Sequence, residues 1–238
     1  WAQVYPNNTT RSGDGQYDVD SYTKLLIHSD TTNNSTTFAD SSSGTHTITR
    51  TGAVHSTTQS KIGATSIYFD GTDDYLSIAD HDDWALGDTF TIDFWYRTTD
   101  DTVSNNPISQ RSDGTPSEGF SMWSIETRPQ VNKITATVYA GLDWSSSTDL
   151  KDITLAADTW YHIAMVSDSG TVQFYSNGVA AGTTDDSMLI GNVPQELCVG
   201  VYRYTYPNPT GGTYFEGYMD EFRISKGIAR WTSNFTVY

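Results

Sequence analysis

The last apolar run of the chain, Tyr214-Phe-Glu-Gly-Tyr-Met-Asp-Glu-Phe-Arg-Ile-Ser225, carries two adjacent carboxylates, Asp220 and Glu221. Phe215, Gly217 and Met219 fall on one parity and Phe222 and Ile224 on the other, so an in-facing row survives only if one extra residue is accommodated near the acids. That predicts a β-bulge. Oxygen ligands beside a bulge suit a hard cation, and they equally suit the capping of backbone N–H groups that a bulge leaves unpaired. Aromatics offer a second chemistry. Tyr202-Arg-Tyr-Thr-Tyr-Pro-Asn-Pro209 gathers Tyr202, Arg203, Tyr204 and Tyr206 in one loop, Trp144 lies in Gly141-Leu-Asp-Trp-Ser-Ser146, and Trp95 sits on the polar parity of its run. Sugar C–H faces stack on rings while hydroxyls take fixed hydrogen bonds, so these residues are the expected ligand contacts.

No constellation points to catalysis. Glycoside cleavage takes a positioned pair of carboxylates, whereas Glu221 follows Asp220 directly and Glu118, Glu126, Glu196 and Glu216 stand apart from other Glu residues. His28, His46, His55, His81 and His162 show no metal-ligand spacing and no neighbouring nucleophile. Asp70, Asp73 and Asp74 flank a glycine turn, where aspartates are ordinary.

The elements that must position these groups are strands. Phe90-Thr-Ile-Asp-Phe-Trp-Tyr-Arg97 alternates cleanly and reads as a half-buried strand. Trp160 to Ser167 and Thr171 to Ser176, joined through Asp168-Ser-Gly170 and followed by Asn177-Gly178, read as an antiparallel meander with type I′ turns. Ser66 to Ile78 reads as a hairpin around a glycine turn, Thr45 to His55 as one weak strand, and Thr98 to Gly119 as a long loop. Phe90, Ile92, Phe94, Tyr161, Ile163, Met165, Val172, Phe174, Phe222 and Ile224 are the expected inter-sheet core. Apolar residues never keep helical spacing for more than about a turn, so the class is all-β, and roughly a dozen short strands are best buried as two packed sheets. Residues 1–23 are polar and without period and read as an N-terminal arm or linker, leaving 24–238 as one domain.

Composition limits the partners. With 13 basic and 29 acidic residues the net charge is −16, which opposes binding to nucleic acid or anionic lipid. Aromatics make up 13% of the residues, enough for a core. Cys198 is the only cysteine, so no intrachain disulfide forms, and no apolar run approaches the roughly 18 residues of a membrane span.

Six segments taken together resemble the concanavalin A-like, laminin-G-type jelly roll. They are Leu25-Leu-Ile-His-Ser-Asp30, Ser66 to Leu76, Phe90 to Trp95, Thr159-Trp-Tyr-His-Ile-Ala164, Phe174-Tyr-Ser-Asn-Gly178 and Gly217 to Ile224. The resemblance implies a two-sheet antiparallel jelly-roll sandwich with the first strand beside the last. Related sandwiches often hold a structural Ca²⁺ between such terminal segments, which makes Asp30 and Asp220 its expected ligands. The Glu-x-Asp-x-Glu pattern of laminarinase-like members is absent, as are the Arg-x-Glu-x-Arg and Gln-x-His motifs of alginate-lyase-like members. The closing Phe222 to Phe235 resembles the end of such domains in phage virion proteins and bacterial surface proteins. Together these imply a non-catalytic adhesion or carbohydrate-binding module at a virion or cell surface. Its expected partners are cell-surface glycans or polysaccharide and other surface subunits, with a homo-oligomer among the arrangements allowed. A purely structural virion domain and a polysaccharide-degrading enzyme are the alternatives.

Overall fold

The computed structural model describes residues 15–111, 121–140, 147–148, 152–185, 188–203 and 212–237. In chain order the strands are β1 (Thr23–Ile27), β2 (Ile48–Thr51), β3 (Val54–Ser56), β4 (Ser66–Asp70), β5 (Tyr75–Ile78), β6 (Phe90–Thr98), β7 (Asn105–Arg111), β8 (Ser121–Arg128) and β9 (Lys133–Ala140). They continue as β10 (Ser147–Thr148), β11 (Tyr161–Asp168), β12 (Thr171–Ser176), β13 (Val179–Asp185), β14 (Leu197–Val199), β15 (Val201–Arg203), β16 (Gly212–Tyr214) and β17 (Glu216–Lys226). An eight-stranded sheet runs β13-β12-β11-β6-β17-β4-β3, with β1 also paired to β17, and a seven-stranded sheet runs β10-β9-β8-β7-β14-β5-β2. β15 and β16 pair as a separate ribbon. Among the described residues every strand pairing is antiparallel, as a jelly-roll sandwich requires.

One core joins the two sheets. Phe90, Ile92, Phe94, Ile163, Met165, Val172, Phe174, Phe222 and Ile224 are all buried in it, and Tyr161 packs against it half-buried. The opposing sheet contributes Leu76, Ile78, Ile108, Trp123, Ile125 and Leu197 to the same core. The meander has the turns its sequence asks for, with Ser169 at φ 53 and Gly170 at φ 86, then Asn177 at φ 49 and Gly178 at φ 77.

Four local expectations are corrected. Ser66 to Ile78 is not a hairpin: β4 belongs to the eight-stranded sheet and β5 to the seven-stranded one, so the turn between them carries the chain across the core. Thr45 to His55 likewise divides, at Gly52 with φ 67, into β2 and β3 on different sheets. The long loop after Thr98 contains β7, whose register shifts between Asn105 and Ile108, and Pro107 is tolerated at that irregularity. The Phe90 strand is buried along its whole length on both faces, not on one.

Both faces of β6 are covered because chain segments from each end lie over the outside of the eight-stranded sheet. Trp231 and Phe235 stack with ring centroids 4.0 Å apart and pack on Ala164, Val166 and Tyr175. Tyr17, within the expected arm, is 3% exposed, and Asp20 takes a bidentate pair from the fully buried Arg230 at 2.9 and 3.0 Å. The described part of the arm is thus a working piece of the domain, and its boundary at residue 24 moves back to at least Tyr17.

Phe94 stacks on Phe222 with centroids 5.5 Å apart, so Phe94→Ala opens a cavity between the strands that carry the core. The expected loss is about 3–5 kcal/mol in denaturant unfolding. A loss no larger than that of Val179→Ala, which is 58% exposed, would contradict the strand phase described here.

Candidate functional site

The bulge falls where the last strand changes neighbour. Residues Glu216 to Met219 of β17 pair with β4 and residues Phe222 to Ser225 pair with β1, on one edge, while β6 runs along the other. Between Asp220 and Arg223 the register with β6 shifts, and Glu221 takes φ 49. This lets Phe215, Met219, Phe222 and Ile224 all face the core despite their opposed parity. Gly217, in the same strand, has φ 140, and a Cβ there would run into the Arg97 carbonyl.

Where β1 has ended and β4 has not begun, backbone N–H groups lack a strand partner, and the two bulge acids take them up. Asp220 Oδ2 accepts the Lys61 and Ile62 N–H groups at 3.0 Å each, and Oδ1 accepts that of Glu221 at 2.9 Å. Glu221 Oε2 accepts the Tyr17 N–H at 2.8 Å, and Oε1 lies 2.8 Å from His28 Nδ1. Asp30 belongs to the same joint: Oδ1 accepts the Ala64 N–H at 2.8 Å and Oδ2 the Gln16 side-chain amide at 3.1 Å. Asp30 and Asp220 therefore both face the 61–64 segment, and every contact described for them is an N–H donor.

Next to the bulge lies a buried ion pair. Arg223 Nε and Nη2 donate to the two oxygens of Asp93 at 2.9 and 3.0 Å, with both side chains fully buried. His162 Nε2 is 3.4 Å from Asp93 and 2.8 Å from the Tyr17 hydroxyl, and the Arg223 guanidinium lies 3.6 Å from the Tyr17 ring centroid. Burial alone would raise the Asp93 carboxyl, but Arg223 and His162 outweigh it and hold it well below the usual carboxylate range. Asp220 has no cation among the described residues to do the same, so burial, with the Glu221 charge beside it, pushes its carboxyl up to about 8 against the pull of the Ile62 and Lys61 amides. Acids this enclosed and amide-bound do not reach a substrate.

The aromatic candidates divide. Trp95 is 4% exposed, lying under the Lys61 ammonium at 4.3 Å and edge-on to His162, so it is a covered residue of the outer face and not a sugar platform. Tyr202 is half-buried; its hydroxyl reaches Met122 Sδ at 3.2 Å and the Arg111 guanidinium lies 5.6 Å from its ring. Arg203 pairs with Gly212 at the mouth of the β15–β16 loop. Tyr204, Tyr206 and Trp144 lie outside the described residues. The strand ends nevertheless converge: Arg111 is opposite Met122, and Ser121 is opposite Ala140. Arg111, Ser121 and Ala140 therefore lie at the end of the seven-stranded sheet against which Tyr202 is anchored. On the outside of that sheet the cross-strand row Thr49, Ser77, Cys198, Ser109, Ser124 and Thr137 is small, and Ser109 bonds the Val201 carbonyl of β15 at 2.7 Å.

Two clusters place metal-ligand atoms within 4.8 Å of one another among the described residues. Asp70, Asp73 and Asp74 form one, but Asp74 Oδ2 accepts the Asp70 N–H and Asp70 Oδ1 that of Thr72, the bonds of a turn. The other is His46, His81 and Asp83, which sequence spacing did not reveal because the fold, not the chain, brings His46 to the other two. The only signal in the sequence was the short interval between His81 and Asp83.

A family model described as the concanavalin A-like lectin/glucanases superfamily matches residues 70–230. No curated protein matches the chain in sequence. Among solved structures it is similar to domain 4 of AbnA, a GH43 extracellular arabinanase from Geobacillus stearothermophilus in complex with arabinotriose, at TM-score 0.56 and 20% identity over 87% of this chain and 94% of that one. It is similar to the Ruminococcus gnavus IT-sialidase CBM40 bound to α2,3 sialyllactose, at TM-score 0.52 and 12% identity over 68% and 90%. The binding domain of botulinum neurotoxin serotype D gives TM-score 0.58 and 11% identity over 86% of this chain, which spans about half, 48%, of that domain. Identities this low speak for the fold alone.

The Asp220 proton has a readable consequence. Because its carboxyl rises from 3.8 to about 8 on folding, the native state holds this proton more tightly. Its contribution to stability is complete below the unfolded value and is lost as pH rises through the folded one. Measured against Asp220→Asn, wild-type stability should fall by up to ~1.4 kcal/mol per pH unit between about pH 4 and 8 and then level off. In chelator-treated protein, a difference independent of pH over that window would contradict the buried setting of Asp220.

Proposed function

The chain belongs to the concanavalin A-like lectin/glucanases superfamily, and on that premise we propose that it is a non-catalytic carbohydrate-binding domain whose ligand contacts lie at the Tyr202 edge of the seven-stranded sheet. The observation that carries this reading is the convergence described above. Tyr202, fixed by Arg111 and Met122, stands beside the described strand ends at Arg111, Ser121 and Ala140. In this reading Arg203, Tyr204, Tyr206 and Trp144 supply rings and hydrogen bonds to neutral sugar faces, which a net charge of −16 does not oppose. That structural neighbours bind arabinotriose and sialyllactose supports the ligand class. The non-catalytic role is supported by the enclosure of Asp220 and Glu221 and by the pairing of Glu126 with Arg128 and of Glu216 with Thr99.

A place on a virion or other extracellular surface belongs to the same proposal and rests on the resemblance of the closing segment. Many copies on a particle would raise weak single-site affinity. No helix among the described residues is long and apolar enough to cross a membrane. Calcium between Asp30 and Asp220 is likewise proposed as the ion that would join the first and last strands, displacing the proton that burial favours on Asp220 and drawing on carboxylate lone pairs beyond those the amides take.

One assay tests these parts together. On a panel of bacterial and algal polysaccharides and sialylated glycans, wild-type protein should bind a subset without releasing products. Tyr204→Ala combined with Trp144→Ala should abolish that binding while stability changes by no more than about 0.5 kcal/mol per site. Retained binding in the double variant would move the site elsewhere, and released sugar would make the domain an enzyme. After exhaustive chelation, adding back Ca²⁺ alone should raise the melting temperature of wild type but not of Asp220→Ala; an unchanged wild-type curve removes calcium.

A further inference from the structure

We propose that His46, His81 and Asp83 bind one divalent cation of the imidazole-preferring kind, Zn²⁺ or a close relative, at a site apart from the carbohydrate edge and from Asp30 and Asp220. His46 precedes β2, while His81 and Asp83 bracket the start of a 3₁₀ helix, Asp82–Trp84, after β5. His46 Nε2 and His81 Nδ1 approach the same carboxylate oxygen, Asp83 Oδ2, at 3.1 and 3.2 Å. A tetrahedral Zn²⁺ with ligands at about 2.0–2.1 Å has ligand–ligand edges of ~3.3 Å, so both distances, which the hydrogen-bonded pair also has, fit a shared ion without moving Asp83.

The proton count favours a cation as well. His81 Nδ1 accepts the Asp83 backbone N–H at 3.1 Å with its single lone pair, which would turn from that N–H to the cation on binding. A bare nitrogen and a carboxylate oxygen 3.2 Å apart repel unless a positive charge stands between them. The two imidazoles sit edge-to-face with centroids 4.7 Å apart, and His46 is held against the buried Trp84 at 4.7 Å, which fixes half of the site in advance. Side-chain exposures of 11% for His46, 22% for Asp83 and 53% for His81 leave a path from solvent and at least one coordination position for water. Two imidazoles with one carboxylate suit zinc and its neighbours, whereas Ca²⁺ takes six to eight oxygens. The ion would tie the segment before β2 to the helix after β5 and stabilise the fold by mass action.

The test is calorimetric titration of tag-free, chelator-treated full-length protein with Zn²⁺ and separately with Ca²⁺, beside melting curves. His81→Asn keeps an acceptor for the helix start, and Asp83→Asn keeps shape. Wild type should take up one equivalent of Zn²⁺ at this site and melt higher with it. Each variant should bind at least ~10-fold more weakly while melting like wild type in chelator. Absence of saturable Zn²⁺ binding, unchanged binding in both variants, or equal affinity for Ca²⁺ would overturn the proposal.

Discussion

A single edge of β17 serves two strands, and the rest of the molecule is arranged around that constraint. β4 pairs with its first half and β1 with its second, so the backbone between them must be satisfied without a ladder. The bulge at 220–221 resolves this by turning two carboxylates toward stray N–H groups of segments 15–17 and 61–62. Asp93 and Arg223 then fix the strand crossing from the β6 side. A buried pair of this kind contributes little net stability over an apolar replacement, but losing one partner leaves an uncompensated charge in the interior. Its effect is to specify one register.

The same constraint dictates what covers the eight-stranded sheet. Sealing the network requires cover, and both chain ends supply it: Tyr17 lies against Arg223, and Arg230, Trp231 and Phe235 come from the tail. The outer face of the eight-stranded sheet is therefore spent on structure. The opposite sheet ends at Arg111, Ser121 and Ala140 beside Tyr202, and that end is where the proposed ligand contacts are set.

Much of this was legible in the residues. The opposed parity of Met219 and Phe222 located the bulge, clean alternation in 90–97 and 161–176 located the shared core, and Asn177-Gly178 located a turn. What escaped was membership: alternation says that Ile67, Phe69, Leu76 and Ile78 face a core, but not that they face it from opposite sheets. Trp95 and the arm depart from expectation for a related reason, since polar parity suggests solvent and cannot reveal that Tyr17, Lys61 and the tail cover that face. β7 was hidden because Gln110 earns its inward position through hydrogen bonds to Trp123, Val193 and Gln195 and not through apolarity. His46 and His81 meet only once β2 and β5 pair.

The account stands most directly on the coupling between Asp93 and Arg223. A double-mutant cycle with Asp93→Asn and Arg223→Met, followed by denaturant unfolding, measures it. Each single change should cost about 3–5 kcal/mol by stranding its partner, and the double change should cost clearly less than the sum. Small, additive losses would contradict the claim that this buried pair sets the register on which the closing strand depends.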